Sequence, residues 1–168
     1  MGMSFQQLKT GDRVYHPTYG LGVIEGTVTL DQGGQATEFY SVRLPKGGML
    51  TVPLERAPTL GLRRIVNGLK AVVACLRTPA HVLPDNDRAR VIELKASWQA
   101  ARSSALTEAV RDLMSWSRTH RLTPNDKRWL TSACERLSAE AAVVDSIELI
   151  QAQTAIQQAV NSLKAALA

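Results

Sequence analysis

The sequence changes character near residue 60, and this change constrains the fold more than any other feature. Up to about residue 55, short runs of alternating β-branched, aromatic and polar residues are separated by glycine-containing turns, which is typical of strands. Beyond residue 61, apolar residues recur at spacings of three and four, which is the pattern of amphipathic helices. We therefore predict an α+β chain with a small β domain over residues 1–58 and an all-helical domain over residues 59–168.

Four strand-like segments lie in the first part, at 13–16, 20–30, 38–44 and 49–53. Gly33 and Gly34 separate the second segment from the third and allow the positive φ of a tight hairpin turn. Pro45-Lys46-Gly47-Gly48 marks the next turn. Several short strands joined by tight turns within about 45 residues are typical of a small curled barrel of the SH3 or Tudor kind.

About five helices are predicted in the second part. An apolar stripe over 62–76 indicates the first, Pro84-Asp85-Asn86 starts the second, and Ser103 or Ser104 caps the third. In the fourth, Thr123 is the N-cap, Pro124 the first helical residue and Asp126 the third, where its charge favours the helix dipole. The last helix is expected to begin near Asp145-Ser146. Short loops between these helices favour a compact bundle.

The net charge of +5 is unevenly distributed along the chain. Residues 1–60 are neutral, residues 61–136 carry +7, and residues 137–168 carry −2. A basic region of this kind is typical of proteins that bind polyanions, and it is equally compatible with a solvated basic surface.

Three pairs of basic residues occur where helices are predicted to begin: Arg63 with Arg64, Arg88 with Arg90, and Lys127 with Arg128. A cation at a helix N-terminus opposes the helix dipole, so these residues are not expected to stabilise their helices. They indicate an external anion such as phosphate. The alternative is that their stems pack on the protein while their charged ends remain in water.

The three tryptophans have different expected roles. Trp98 continues the apolar face of its helix and is predicted to be a core residue. Trp116 and Trp129 lie partly off the apolar faces, and each would either pack as a half-buried plate or present its ring to DNA.

The sequence carries no recognisable catalytic, metal or cofactor motif. His16, His81 and His120 stand in different elements, without the spacing of metal ligands. Cys75 and Cys134 lie 59 residues apart and are expected to be free thiols in a cytoplasmic protein, with a disulfide between them as the alternative. The N-terminus has no pattern of a secretion signal, and no apolar run is long enough to span a membrane. We expect a non-enzymatic binding protein.

Several segments together resemble the CarD/CdnL family of bacterial transcription regulators. Residues 11–22 (GDRVYHPTYGLG) resemble the start of the family, and VPLE at 52–55 followed by LGLR at 60–63 resembles its joining segment. EAVRDL at 108–113, and LTPNDKR at 122–128 with Leu130, resemble its helical domain. The resemblance covers nearly the whole chain in the same order.

The resemblance implies two partners and no cofactor. A Tudor-like N-terminal module, similar to one in the transcription-repair coupling factor, is expected to bind the β subunit of RNA polymerase through a strand edge in 38–44 and 49–53. The residues implied in this contact are Arg43, Met49, Leu50, Thr51, Val52 and Pro53. The helical domain is expected to contact promoter DNA at the upstream edge of the transcription bubble. The residues implied there are Asn86, Arg88, Arg90, Lys127, Arg128 and Trp129.

The sequence departs from the family at one position. In the family, a tryptophan that wedges into the minor groove follows a Pro-x-Asn stretch at the start of the second helix, whereas here Pro84-Asp85-Asn86 is followed by Asp87. A carboxylate cannot stack on bases. The sequence therefore leaves two functions open: a regulator that contacts DNA through phosphates, and an adaptor of the same architecture that binds polymerase or another protein only.

Overall fold

A computed structural model of the chain describes residues 7–100 and 102–165. It has the predicted α+β class, with a β domain followed by five helices. The chain divides into two compact units between Ile65 and Val66. The strands are β1 (Arg13–His16), β2 (Gly20–Asp31), β3 (Ala36–Arg43), β4 (Met49–Pro53) and β5 (Arg63–Arg64). The helices are α1 (Leu69–Leu76), α2 (Asp87–Gln99), α3 (Ala105–Trp116), α4 (Pro124–Asp145) and α5 (Leu149–Ala165).

The five strands form one antiparallel sheet in the order β4-β3-β2-β1-β5. Its centre is the long β2–β3 hairpin, in which Ile24 pairs with Val42 and Gly26 with Ser41, so that the register shifts between Ile24 and Gly26. Gly33 and Gly34 lie in the hairpin loop with φ values of 67° and 88°, which is the positive φ predicted for them and which glycine adopts without strain. The two edges of the sheet are β4 and β5.

Alternation along the strands builds a small core on one face of the sheet. Its fully or nearly buried members are Leu8, Val14, Ile24, Tyr40, Val42, Val52, Ala57 and Leu62. The hydroxyl of Tyr40 is held in this core because it accepts a hydrogen bond from the Leu8 amide at 3.3 Å. A domain this small has few apolar residues to bury, so each buried side chain contributes substantially to its stability.

The first predicted helix begins seven residues later than its apolar spacing indicated. Residues 62–66 are not helical: Arg63 and Arg64 form β5 and pair with Tyr15 and Val14 of β1. Leu62 is completely buried in the β core, so the residues that mimicked a helical stripe are those of an extended segment that packs on the sheet. Pairing with β1 therefore outweighs the local helical pattern.

A second core lies among the helices of residues 66–165. It joins buried residues of α1, α3, α4 and α5, of which Val110 and Ile156 are completely enclosed. Trp98 packs against this core as expected, and the guanidinium of Arg136 lies 4.8 Å from its ring centroid. None of the helices in the described residues is long and apolar enough to cross a membrane.

The starts of α2 and α4 follow the predicted capping chemistry. Asn86 caps α2, and its side-chain oxygen accepts the Ala89 amide at 3.0 Å. At α4, the Asp126 amide donates to the Thr123 hydroxyl at 3.2 Å and the Asp126 carboxylate accepts the Thr123 amide at 2.9 Å, which is a complete capping box. These two caps fix where the helix N-termini stand.

The last predicted helix starts slightly later than expected. Asp145 still belongs to α4, Ser146 ends that helix with φ of 54°, and α5 begins at Leu149. The Asp145 carboxylate has another task, because it accepts the amide of Leu69 at 2.7 Å and so caps the N-terminus of α1.

Candidate nucleic-acid interface and sheet edge

The strand β4 pairs with β3 on one side and has no strand partner on its other side among the described residues. Its side chains alternate between the two faces of the sheet. Met49 and Thr51 are exposed, whereas Leu50 and Val52 pack against the β core. An unpaired edge of this kind offers backbone N–H and C=O groups to an added strand.

Of the six residues expected to contact polymerase, three present their side chains to solvent. These are Arg43, Met49 and Thr51, and Met49 is 54% exposed. Val52 is only 2% exposed, so it has only its backbone to offer a partner. Arg43 forms an exposed ion pair with Glu25, and a pair of this kind contributes little to stability, so the guanidinium can exchange partners readily.

The exposed side of α2 and the start of α4 together form a basic surface. Arg88, Ile92 and Lys95 follow one another on the exposed face of α2, and Lys127 and Arg128 are exposed in the first turn of α4. Between the two helices lies a groove of about 280 Å³, which we call the α2/α4 groove. Its lining consists of Val91, Leu94, Lys95, Asn125, Asp126, Arg128 and Trp129.

Lys95 is a basic residue of this surface that the sequence analysis missed. It stands in the middle of α2, away from the paired basic residues, and only the packing of α2 beside α4 brings it to the same groove as Arg128. The guanidinium of Arg128 donates to the Asn125 side chain at 2.6 Å, which orients it at the groove. In the sequence, only the spacing of seven residues between Arg88 and Lys95 indicated that Lys95 belongs to this surface, because that spacing places both residues on one helix face.

Trp129 is half-buried and forms a wall of the α2/α4 groove. It packs against the helical core and against a smaller buried cluster formed by Leu83, Leu94, Ala109 and Leu113, and its indole nitrogen is buried without a hydrogen-bond partner among the described residues. The edge of the ring that carries the nitrogen therefore faces the interior, and only the remainder borders the groove. Trp129 thus packs as a plate and lines the groove at the same time.

Arg90 was expected to contact phosphate, and the structure corrects this expectation. Its side chain is completely buried. Its guanidinium donates to both Asp126 carboxylate oxygens, from Nε at 3.2 Å and from Nη2 at 3.0 Å, and to Asp87 at 2.6 Å. It also donates to the Pro84 and Asp85 carbonyls at 3.1 and 3.2 Å. The charge of Arg90 is therefore balanced by carboxylates of the same domain, and its buried guanidinium is not accessible to DNA.

The buried pair shifts the ionisation of Asp126. Burial alone would raise the pKa of Asp126, but the hydrogen bonds that its carboxylate accepts from Arg90 and Thr123 outweigh burial and lower the pKa. Both charges are thereby held in their ionised forms. The pair joins the first turns of α2 and α4, and so fixes the two helix starts that border the basic surface.

Trp116 completes this buried cluster. The Arg90 guanidinium carbon lies 4.0 Å from its ring centroid, and the His120 ring stacks on it with a centroid separation of 4.4 Å and an angle of 8°. His120 also lies 3.3 Å from the Asp85 carboxylate. Trp116 is therefore committed to packing within the domain, which was one of its two expected roles.

The start of α2 presents acidic side chains to solvent. Asp87, at the position where the resemblance implies a wedge tryptophan, is 71% exposed and hydrogen-bonded to Arg90 through one oxygen. The neighbouring Asp85 side chain is 85% exposed. Asn86 uses its side-chain oxygen for the α2 cap. Of the residues expected to contact DNA, Arg88, Lys127 and Arg128 are the exposed cations.

No group of three or more histidine, cysteine, aspartate or glutamate residues within the described ranges is arranged to hold a metal ion. Cys75 and Cys134 are both free thiols. Burial raises the pKa of Cys134 to about 11, so this thiol is protonated at neutral pH.

Comparison with known proteins covers both domains of the chain. Residues 8–66 match the family described as CarD-like/TRCF RID domain, and residues 71–157 match the family described as CarD, C-terminal domain. A protein of Bacillus subtilis (strain 168), YdeB, whose name proposes it as a transcription factor, is 22% identical over 145 residues, which is 82% of this chain and 92% of that protein. The solution NMR structure of the 72-residue N-terminal domain of Myxococcus xanthus CarD matches with 28% identity and a TM-score of 0.31, over 38% of this chain and 85% of that one.

Proposed function

Since this chain belongs to the CarD-like family of RNA polymerase-interacting transcription regulators, we propose that it binds the β subunit of RNA polymerase and contacts promoter DNA near the edge of the transcription bubble. Through these two contacts it modulates the stability of the open promoter complex. The domains of this family are non-enzymatic, and the chain is not an enzyme. In a bacterial cell it would occupy the cytoplasm and reach the nucleoid through the polymerase.

The proposed polymerase contact is the free edge of β4. Its unpaired backbone supports the addition of a strand, and the exposed side chains of Met49 and Thr51 are accessible to a partner on the solvent-facing side of β4. Arg43 stands opposite Met49 in the strand register, which extends this face to β3. The match of residues 8–66 to a family defined by polymerase interaction is the observation that carries this part of the proposal.

The proposed DNA contact is the basic surface around the α2/α4 groove. It presents Arg88, Lys95, Lys127 and Arg128 as exposed cations. Such cations contact the phosphate backbone and carry little sequence information, so we propose binding that depends mainly on the backbone and not on base identity.

A binding measurement with the isolated β lobe of RNA polymerase tests the polymerase contact. We expect the full chain to bind the lobe, and the M49D/T51D double variant to lose this binding because two carboxylates would stand along the strand edge. V28D is the matched control, since Val28 is an exposed apolar residue of the same sheet that lies outside β4. Absence of binding by the wild type, or equal binding by M49D/T51D, would contradict the proposal.

A second function is favoured by Asp85 and Asp87, whose exposed carboxylates stand at the start of α2. They would repel phosphates, and an adaptor that binds polymerase without touching DNA would have no use for an aromatic wedge. Gel shifts over a salt series distinguish the two functions. A regulator that contacts phosphates must lose DNA affinity steeply as salt rises, whereas the adaptor would show no measurable binding at any salt concentration.

A further inference from the structure

A second basic groove lies among α1, α3 and α5, separate from the surfaces assigned above. It has a volume of about 350 Å³, and three arginines line it: Arg77 at the end of α1, Arg111 within α3 and Arg118 just after α3. The hydroxyl residues Thr78 and Ser115 also line it, and no carboxylate of the described residues does. We call it the arginine groove. It shares no lining residue with the α2/α4 groove.

Arg111 is held in a fixed orientation at this groove. Its Nε and Nη2 both lie 2.8 Å from Oδ1 of Asp112, and its Nη1 donates to the Thr78 hydroxyl at 2.6 Å. Asp112 is itself held, because its Oδ1 accepts the His81 amide at 2.9 Å. These bonds leave other N–H groups of the guanidinium, which has five in all, for a further acceptor. A guanidinium whose plane is already fixed loses little conformational freedom when it binds an anion.

The other two arginines form no ion pair with a carboxylate in the described part of the chain. Arg77 and Arg118 are exposed and have no carboxylate partner there. The helix dipole favours a cation at a helix C-terminus, which explains Arg77 at the end of α1 and Arg118 beyond the end of α3 when each is considered alone. The dipole does not explain why these two arginines line the same groove as Arg111. Asp112 offsets only one of the three positive charges there. A ligand with two or more negative charges would complete the balance.

We propose that the arginine groove binds phosphate groups, either those of a small di- or triphosphate or those of a nucleic-acid backbone. Phosphate oxygens match the paired N–H groups of guanidinium, and the Thr78 and Ser115 hydroxyls lie in the same lining. The buried, apolar Leu76 forms part of the groove wall. The inference goes beyond the proposed function, because none of these residues belongs to β4 or to the basic surface around the α2/α4 groove.

Calorimetric titration of the full chain with inorganic pyrophosphate, without magnesium, tests the site directly. The R77Q/R118Q variant is expected to bind pyrophosphate about tenfold or more weakly than the wild type, because two charge-assisted contacts are lost. Both side chains are exposed, so the fold should be retained, which thermal unfolding checks. R88Q/R128Q is the matched control, since it removes two exposed arginines from the other basic surface.

The same variants in a salt series with duplex DNA identify the source of the phosphate. If R77Q/R118Q weakens pyrophosphate binding and leaves DNA binding unchanged, the ligand is a small phosphorylated molecule. If it lowers the salt slope of DNA binding by about two, the groove contacts the nucleic-acid backbone. If R77Q/R118Q changes neither measurement, the proposal is overturned. R88Q/R128Q should weaken DNA binding and leave pyrophosphate binding unchanged. Unchanged DNA binding by R88Q/R128Q would therefore count against the proposed DNA surface and not against the arginine groove.

Discussion

The guanidinium of Arg90 and the carboxylate of Asp126 form a buried pair at 3.0 Å, 36 residues apart in sequence and with no solvent exposure on either side chain. The pair ties the first turn of α2 to the first turn of α4. Because Asp126 also closes the capping box of α4, one carboxylate serves both the helix cap and the contact between helices. The basic surface around the α2/α4 groove depends on this arrangement.

Removal of one partner should therefore destabilise the helical domain strongly. We expect R90M to lower the free energy of unfolding by about 3–5 kcal/mol, because it leaves the Asp126 charge buried and unpaired. R88M, which changes an exposed arginine two residues earlier, should stay within about 0.5 kcal/mol of the wild type. Urea unfolding of the three proteins measures the difference. Equal stability of R90M and R88M would show that the pair does not hold the two helices.

The stability of the domain should also fall in acid. The pKa of Asp126 is lower in the folded chain than in the unfolded chain, where an aspartate has a pKa of about 3.9. The carboxylate therefore contributes fully to the free energy of unfolding above that unfolded-state pKa, and the contribution is lost as the pH falls through the lower pKa of the folded state. Unfolding measured between pH 7 and pH 2.5 should show this loss. In D126N, where no carboxylate titrates at this position, the decline should be shallower; an identical decline would assign the acid sensitivity to other groups.

How far the sequence predicts this site differs from residue to residue. The start of α4 could be predicted in full, because Thr123, Pro124 and Asp126 interact within one turn and their spacing defines the cap. The partner of Arg90 could not be predicted, because it lies 36 residues away and only tertiary packing brings it near. The basic pair Arg88 and Arg90 accordingly splits, with one residue exposed and one buried.

The fold shows the same dependence on distance along the chain. The β2–β3 hairpin was predictable from its local turn, whereas β5 was not, since Leu62 and Ile65 satisfy a helical spacing equally well. Their state is decided by β1, about 50 residues earlier, to which Arg63 and Arg64 pair. Lys95 was missed for a related reason, because its place beside Arg128 is a property of helix packing.

Gly68 and Asp145 should show strongly non-additive effects. A Cβ atom built on Gly68 would lie 2.0 Å from the Asp145 carboxylate, so G68A must displace the carboxylate that caps α1. We expect G68A and D145A each to cost about 0.5–2 kcal/mol, the usual value of a helix cap. The double variant should cost no more than D145A alone, because the clash and the cap disappear together. Thermal or urea unfolding of the four proteins checks this, and additive costs would contradict it.

Restoring the aromatic side chain at the start of α2 tests whether this end of the domain faces DNA. The Asp87 side chain is 71% exposed, and Arg90 keeps Asp126 as its partner when Asp87 is replaced. We therefore expect D87W to fold and to lengthen the lifetime of open promoter complexes relative to the wild type, since an inserted ring stabilises unstacked DNA. D87A separates loss of the charge from gain of the ring. Equal lifetimes with D87W and D87A would indicate that α2 points away from the bubble.

The lifetime of open complexes formed by the complete RNA polymerase on one promoter tests the central claim most directly. The wild-type chain should change this lifetime, and the change should disappear both with M49D/T51D, which alters the β4 edge, and with R88Q/R128Q, which removes two exposed cations around the α2/α4 groove. V28D should behave like the wild type. An unchanged lifetime with the wild-type chain, or a change that survives in either double variant, would contradict the account.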